Sequence, residues 1–184
     1  MQHRYIPPTN ASLLSHVTAM RAALGEDATR AWLEGIKANE PVTYEGNAQA
    51  VEAIANGEVD VALVNHYYRW NLARPIEDAG GTFPVANHYF DAGDIGALVN
   101  VAGLGIIASS DQLTQAAAFV GFLLSAEAQA YFAESTSEYP LVADVPTMEG
   151  LVPLAELGEP PVGLGQLEDL AGTLALMRDL GLID

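Results

Sequence analysis

NAQAVEAIANGEVDVALVNHYY, residues 47–68, changes its hydrophobic period part-way and thereby decides the fold class. Its first half carries Ala50, Val51 and Ile54 at helical spacing and stops at Gly57. Residues 59–65, VDVALVN, are rich in β-branched side chains and predict a buried parallel strand. NHYYRW (65–70) then stands at the carboxyl end of that strand. Ligands of open α/β sheets bind outside the carboxyl ends of strands, so Asn65, Tyr67 and Tyr68 fall where function is expected.

The same alternation continues outward. Upstream, Leu13, Leu14, Val17, Met20 and Leu24 repeat at helical spacing between Pro8 and Gly25. A second helix spans about 26–37, burying Ala31, Trp32 and Ile36 and ended by Asn39 and Pro41. Downstream, strands are predicted at 85–90 and 97–108, with a turn at Gly93 between them. Helices follow at 112–124 and 127–134, the second opened by Ser125 as its N-cap. Residues 139–161 hold much of the proline and read as an extended connection, and a last helix covers 167–180. The pattern is α/β, with helices on both faces of a mostly parallel sheet.

Composition narrows the chemistry. The 184 residues include 24 acidic and 7 basic side chains, a net charge of −17, and a single lysine, Lys37. Phosphate backbones are bound through Lys and Arg, so nucleic acid is excluded as a partner, and an anionic membrane surface is disfavoured for the same reason. Absence of cysteine removes disulfides, thiolate nucleophiles and thiolate metal sites. No run approaches the roughly 18 apolar residues of a membrane span, so no membrane insertion is expected, and the N-terminal MQHRYIPPTN carries no apolar signal-peptide core.

Two polar helix starts accompany the tyrosine pair: PTNAS (8–12) and GNAQA (46–50). Each offers backbone N–H groups at the positive end of a helix dipole, which suits an anion and equally suits ordinary capping. The adjacent tyrosines are also ambiguous. In a strand their phenols would point to opposite faces, whereas at a strand-to-helix turn both could converge, and two half-buried aromatics at a sheet edge fit the dipeptide as well. Phenolate is a hard oxygen donor suited to a hard cation such as ferric iron. Two phenolates leave coordination positions for a carbonate, phosphate or citrate held at the helix starts.

PTNAS, the 47–68 stretch, GALVNVAGLGI (96–106) and EYPLV (138–142) resemble, in that order, the bacterial periplasmic ferric-ion-binding proteins. These are solute-binding components of iron ABC transporters with a periplasmic-binding-protein type II, transferrin-like, two-lobe fold. The resemblance implies Tyr67 and Tyr68 as paired tyrosinate ligands of Fe(III). It implies contacts to a synergistic anion at Asn10, Ala11, Ser12, Asn47 and Asn65. Asn-Ala-Ser stands where some members have Ser-Gly-Ala, an exchange that keeps the backbone donors. It further implies a permease partner and a periplasmic or extracellular location.

By the same resemblance, 1–97 form the α/β core of the second lobe, 98–147 return to the first lobe, and 148–184 pack back on the second. Members carry a further N-terminal segment before the PTNAS loop, so an incomplete half-site is expected here. Dimerisation through the exposed first-lobe segment is expected with it.

Other residues carry less. His16 lies among apolar positions and reads as a packing or surface residue. His66 beside the tyrosines is a weaker ligand candidate, and His88 with Asp91 and Asp94 reads as a solvated loop. An enzyme using Tyr67 or His66 as acid or base lacks any accompanying nucleophile or phosphate-loop motif, so no enzyme activity is expected. A lobe binding another oxyanion or small solute without iron, and an inert fragment, remain the rival readings.

Overall fold

The computed structural model describes residues 4–5, 11–158 and 162–183. In chain order the elements are β1 (Arg4–Tyr5), α1 (Ala11–Leu24), α2 (Glu26–Ala38), α3 (Asn47–Ala55), β2 (Val61–Ala62), α4 (Tyr67–Asp78), α5 (Leu113–Leu123), α6 (Ala126–Thr136) and α7 (Leu170–Asp179), with short 3-10 turns at Ile95–Ala97, Leu154–Glu156 and Leu164–Gln166. They fall into two compact units, 1–100 with 157–184, and 101–156.

The helices form where their local signals are strongest. Gly25 ends α1 at φ 85°, and α2 opens with Glu26 and Asp27 at its positive end and closes with Lys37. Behind α3, Gly57 at φ 74° lets its own N–H reach Ile54 O at 3.0 Å and the Glu58 N–H reach Ala53 O at 2.9 Å, the paired bonds of a Schellman stop.

In the first unit α1 packs on α2 and on α7 around Leu13, Val17, Leu33, Ile36, Leu176 and Met177. Polar links fasten α7 in place. The Thr18 and Thr173 hydroxyls meet at 2.7 Å in the interior. Arg21 reaches Glu26 at 2.6 Å and Asp169 at 2.9 Å, and Lys37 Nζ donates to Leu180 O at the end of α7. A second cluster, Val51, Ala73, Phe83 and Val85, holds α3 against α4, with Tyr68 packed on it.

The second unit has its own polar fastenings. Ser125 Oγ accepts the Ala128 N–H at 3.2 Å and caps α6 as expected. Gln129 donates to Leu123 O and accepts from Leu141 N–H, and Tyr139 donates to Val152 O at 2.6 Å.

Strand expectations fare differently. Among the described residues the sheet has two strands, β1 and β2, parallel, with Arg4 opposite Val61 and Tyr5 opposite Ala62. The strand expected over 59–65 pairs only at Val61–Ala62. Residues 85–90 and 97–108 join no ladder among the described residues. The reason is physical: a helix closes its hydrogen bonds within one segment, whereas a strand exists only where a second edge is supplied. The last helix starts at Leu170 rather than 167, because Asp169 caps it by accepting the Gly172 N–H at 2.9 Å.

Candidate metal centre

The parallel pairing of β1 and β2 fixes where the helices start. α1 begins six residues past Tyr5 and α4 five residues past Ala62, so in the chain each helix follows the carboxyl end of one of the paired strands. The chain enters β2 from α3 and leaves it into α4, and the two helices run the same way. Their C-terminal ends meet at a groove where Glu52, Ala55 and Asn56 face Ile76, Phe83 and Pro84. Further up, Val51 shares a cluster with Ala73 and Leu72.

Tyr67 and Tyr68 are the first two residues of α4, following His66 at its N-cap. A strand would have parted their side chains, but the helical first turn brings the rings to 4.6 Å between centroids at 36°. Asn65 Nδ2 donates to the Tyr67 hydroxyl at 2.9 Å. The His66 ring stands edge-on to Tyr67 at 5.5 Å, and its backbone carbonyl accepts from Asn87 Nδ2 at 3.0 Å. Both phenols are half-buried, so each ring is anchored in protein.

Asn47 is 5 % exposed, and its Oδ1 has no hydrogen-bond partner among the described residues. It opens α3 behind Gly46, which supplies no side-chain cap, so this helix start has an unmet polar demand. Ala11 and Ser12 open α1. Asn10 lies outside the described residues. The structure thus joins Asn65, Tyr67 and Tyr68 directly, while Asn47 opens α3 and Ala11 and Ser12 open α1.

Among the described residues no three His, Asp or Glu side chains gather where they could hold a metal. Phenol and amide oxygens are the hard donors beside Tyr67 and Tyr68, and two adjacent phenols suit a trivalent cation better than a soft or N-preferring one. His16 takes no part there. It packs against Trp32 at 6.3 Å, where burial lowers its pKa below 6.5 against the opposing pull of Asp94.

Residues 9–155 match the family described as bacterial extracellular solute-binding protein. The chain belongs to that family. The major ferric iron-binding protein of Neisseria meningitidis serogroup B is 33% identical over 178 residues, 95% of this chain and 52% of its own length. The crystal structure of iron-bound HitA from Pseudomonas aeruginosa superposes with a TM-score of 0.88 at 35% identity, over 97% of this chain and 57% of that one. Apo FutA2 from Synechocystis gives 0.70 at 30% identity, over 98% and 59%. The chain has the type II periplasmic-binding-protein fold and spans about half the length of the curated relatives it matches.

Two features of residues 83–90 were absent from the sequence reading. Asn87 clamps the His66 carbonyl, and the Tyr89 hydroxyl is buried without a partner among the described residues. The signal for both is alternation: Phe83 and Val85 are buried and Asn87 and Tyr89 partly so, while Pro84, Ala86, His88 and Phe90 are exposed.

Proposed function

We propose that this chain binds ferric ion for uptake by an ABC transporter, with Tyr67 and Tyr68 as its tyrosinate ligands. The observation that carries the reading is the pair itself: two phenols 4.6 Å apart at a helix start on the carboxyl edge of a parallel sheet. The names of the relatives in Neisseria and Pseudomonas, a ferric iron-binding protein and an iron-bound HitA, support it. Ionised phenols supply two hard, negatively charged oxygens, and the cation's charge favours their ionisation.

A synergistic anion (carbonate, phosphate or citrate) completes the site, held by the backbone N–H groups at Ala11 and Ser12, with Asn10, Asn47 and Asn65 as the other contacts. The anion answers the remaining positive charge of the metal, and the helix starts answer the anion. Asn65 holds Tyr67 in its rotamer, so the donor set is ordered before the metal arrives.

We read residues 1–97 and 148–184 as the second lobe and 98–147 as part of the first. The structural division at 100/101 and 156/157 supports that reading. One lobe offers a half-site open to water, with weaker ferric affinity than a two-lobe relative. In the second unit α5 buries none of its residues, and Ile107, Phe119 and Phe122 are 74%, 58% and 51% exposed. That surface supports self-association as a homodimer. No single helix among the described residues is long and apolar enough to cross a membrane. A permease partner and a periplasmic or extracellular location follow from the family. Nothing in this reading asks the protein to catalyse a reaction.

Ferric titration tests it. The expected result is a visible phenolate-to-iron charge-transfer band that is lost in Tyr67→Phe and in Tyr68→Phe. No band in excess phosphate or carbonate would refute the iron assignment and leave an oxyanion-binding lobe.

A further inference from the structure

We propose that Asn87 is a positioning residue for the tyrosine pair, setting the aim of the phenols by holding the peptide that joins His66 to Tyr67. The inference rests on the reading of Tyr67 and Tyr68 as ferric ligands and adds to it a residue from outside their turn.

The first turn of α4 lacks a side-chain cap. His66 stands at the N-cap with helical angles, φ −55° and ψ −35°, and lends no side-chain acceptor to the N–H groups that follow. Ordinarily an N-cap side chain takes up one of those donors and fixes the helix start. Pro75 lies within the same helix, where its ring nitrogen has no hydrogen to donate.

Residues 83–87 hold that turn from outside. Asn87 Nδ2 donates to His66 O at 3.0 Å and Arg69 Nε to Val85 O at 2.9 Å, while Tyr68 packs on the cluster that contains Phe83 and Val85. Arg69 is fixed in turn by Glu77 at 2.8 Å and lies 4.3 Å from the Trp70 ring. These contacts bear on residues 66, 68 and 69, on both sides of Tyr67.

The Asn87 bond acts on Tyr67 itself. The His66 carbonyl and the Tyr67 N–H belong to one planar peptide, so a donor on that oxygen fixes the tilt of the whole unit. The tilt sets the direction in which the Tyr67 side chain leaves the backbone. Asn65 holds the same side chain at its other end, through the hydroxyl. Held at root and tip, the Tyr67 ring keeps its place 4.6 Å from that of Tyr68 at 36°. A ligand pair serves one metal well only when its geometry is held before the metal arrives.

The test compares wild type, Asn87→Leu, Asn87→Ala and Asn39→Leu. The Asn87 variants remove the donor with and without keeping the bulk of the side chain. Asn39→Leu removes the same kind of bond, 2.7 Å to Gly35 O, at the end of α2. In iron-free protein below its melting temperature, the near-ultraviolet circular dichroism that each form loses on Tyr67→Phe isolates the signal of the pair. That signal should collapse in both Asn87 variants and persist in Asn39→Leu. With ferric ion in phosphate buffer, the charge-transfer band of both Asn87 variants should shift its maximum. Chelator competition should show about fivefold weaker loading, the worth of one neutral hydrogen bond. Asn39→Leu should match wild type in both, although its melting point falls about as far as theirs.

A wild-type dichroism signal in the folded Asn87 variants overturns the inference, as does an unchanged ferric midpoint. An equal loss in Asn39→Leu marks a global effect and overturns it too. If wild type itself gives no ferric band, the iron reading fails and takes the metal-binding role of Asn87 with it. The dichroism then decides alone whether Asn87 orders the pair.

Discussion

Replacing Asn65 by alanine removes a side-chain donor aimed at a proposed ligand oxygen. Its Nδ2 stands 2.9 Å from the Tyr67 hydroxyl, within ordinary hydrogen-bond range. When that oxygen is a phenolate the bond is charge-assisted and contributes about 1.5–3 kcal/mol. Asn65 is only half-buried, and bound iron draws charge from the oxygen, so the lower end applies. About 1.5 kcal/mol corresponds to roughly a tenfold loss of ferric affinity.

The alanine leaves both phenols in place, so the saturated band should keep its intensity while its midpoint moves. Chelator competition followed in the visible band measures that shift, and a melting curve checks that the fold is intact. Wild-type ferric affinity in a folded Asn65→Ala protein would refute the argument that Asn65 orders the donor set.

Other expectations concern stability and pH. Leu33 is fully buried between α1, α2 and α7, so Leu33→Ala should cost about 3 kcal/mol in denaturant unfolding. Thr173→Val removes the buried contact to Thr18 together with the hydroxyl's bonds to Arg21 Nη1 and Asp169 O, and with Thr18 still donating to Leu14 O the loss should be about 2 kcal/mol. Ser125→Ala deletes the α6 cap and should cost about 1 kcal/mol, read as earlier loss of helicity.

Burial lowers the pKa of His16, so the folded protein binds fewer protons than the unfolded chain below pH 6.5. Stability should therefore be full above 6.5 and fall as pH drops through the lowered value. His16→Gln should flatten that slope in melts run across this range, and an unchanged slope would place its origin elsewhere.

Helix positions were legible because their determinants are local. Gly25, Gly57 and Ser125 act within a few residues of themselves, and the apolar spacing of Leu13, Val17 and Met20 lies in one turn-repeat. The strand at 97–108 was misjudged for the opposite reason. Its apolar composition suits a ladder, but pairing needs an edge that no local pattern specifies, and the structure leaves Leu104, Ile106 and Ile107 exposed. The tyrosine pair could be named from two letters and a strand end. Whether the phenols converge depended on the turn being helical at Tyr67, which the dipeptide does not encode.

By itself the sequence determined the helices, the charge that excludes nucleic acid, and the hard-donor chemistry at Tyr67 and Tyr68. Each of these is a property of composition or of residues near one another in the chain. Only the tertiary structure decided that Asn87 clamps the His66 carbonyl and that Asn47 Oδ1 is buried without a partner among the described residues. Those facts depend on α3, α4 and residues 83–87 packing on one another. Packing between distant segments, rather than propensity within one, makes a cluster of polar side chains into a site.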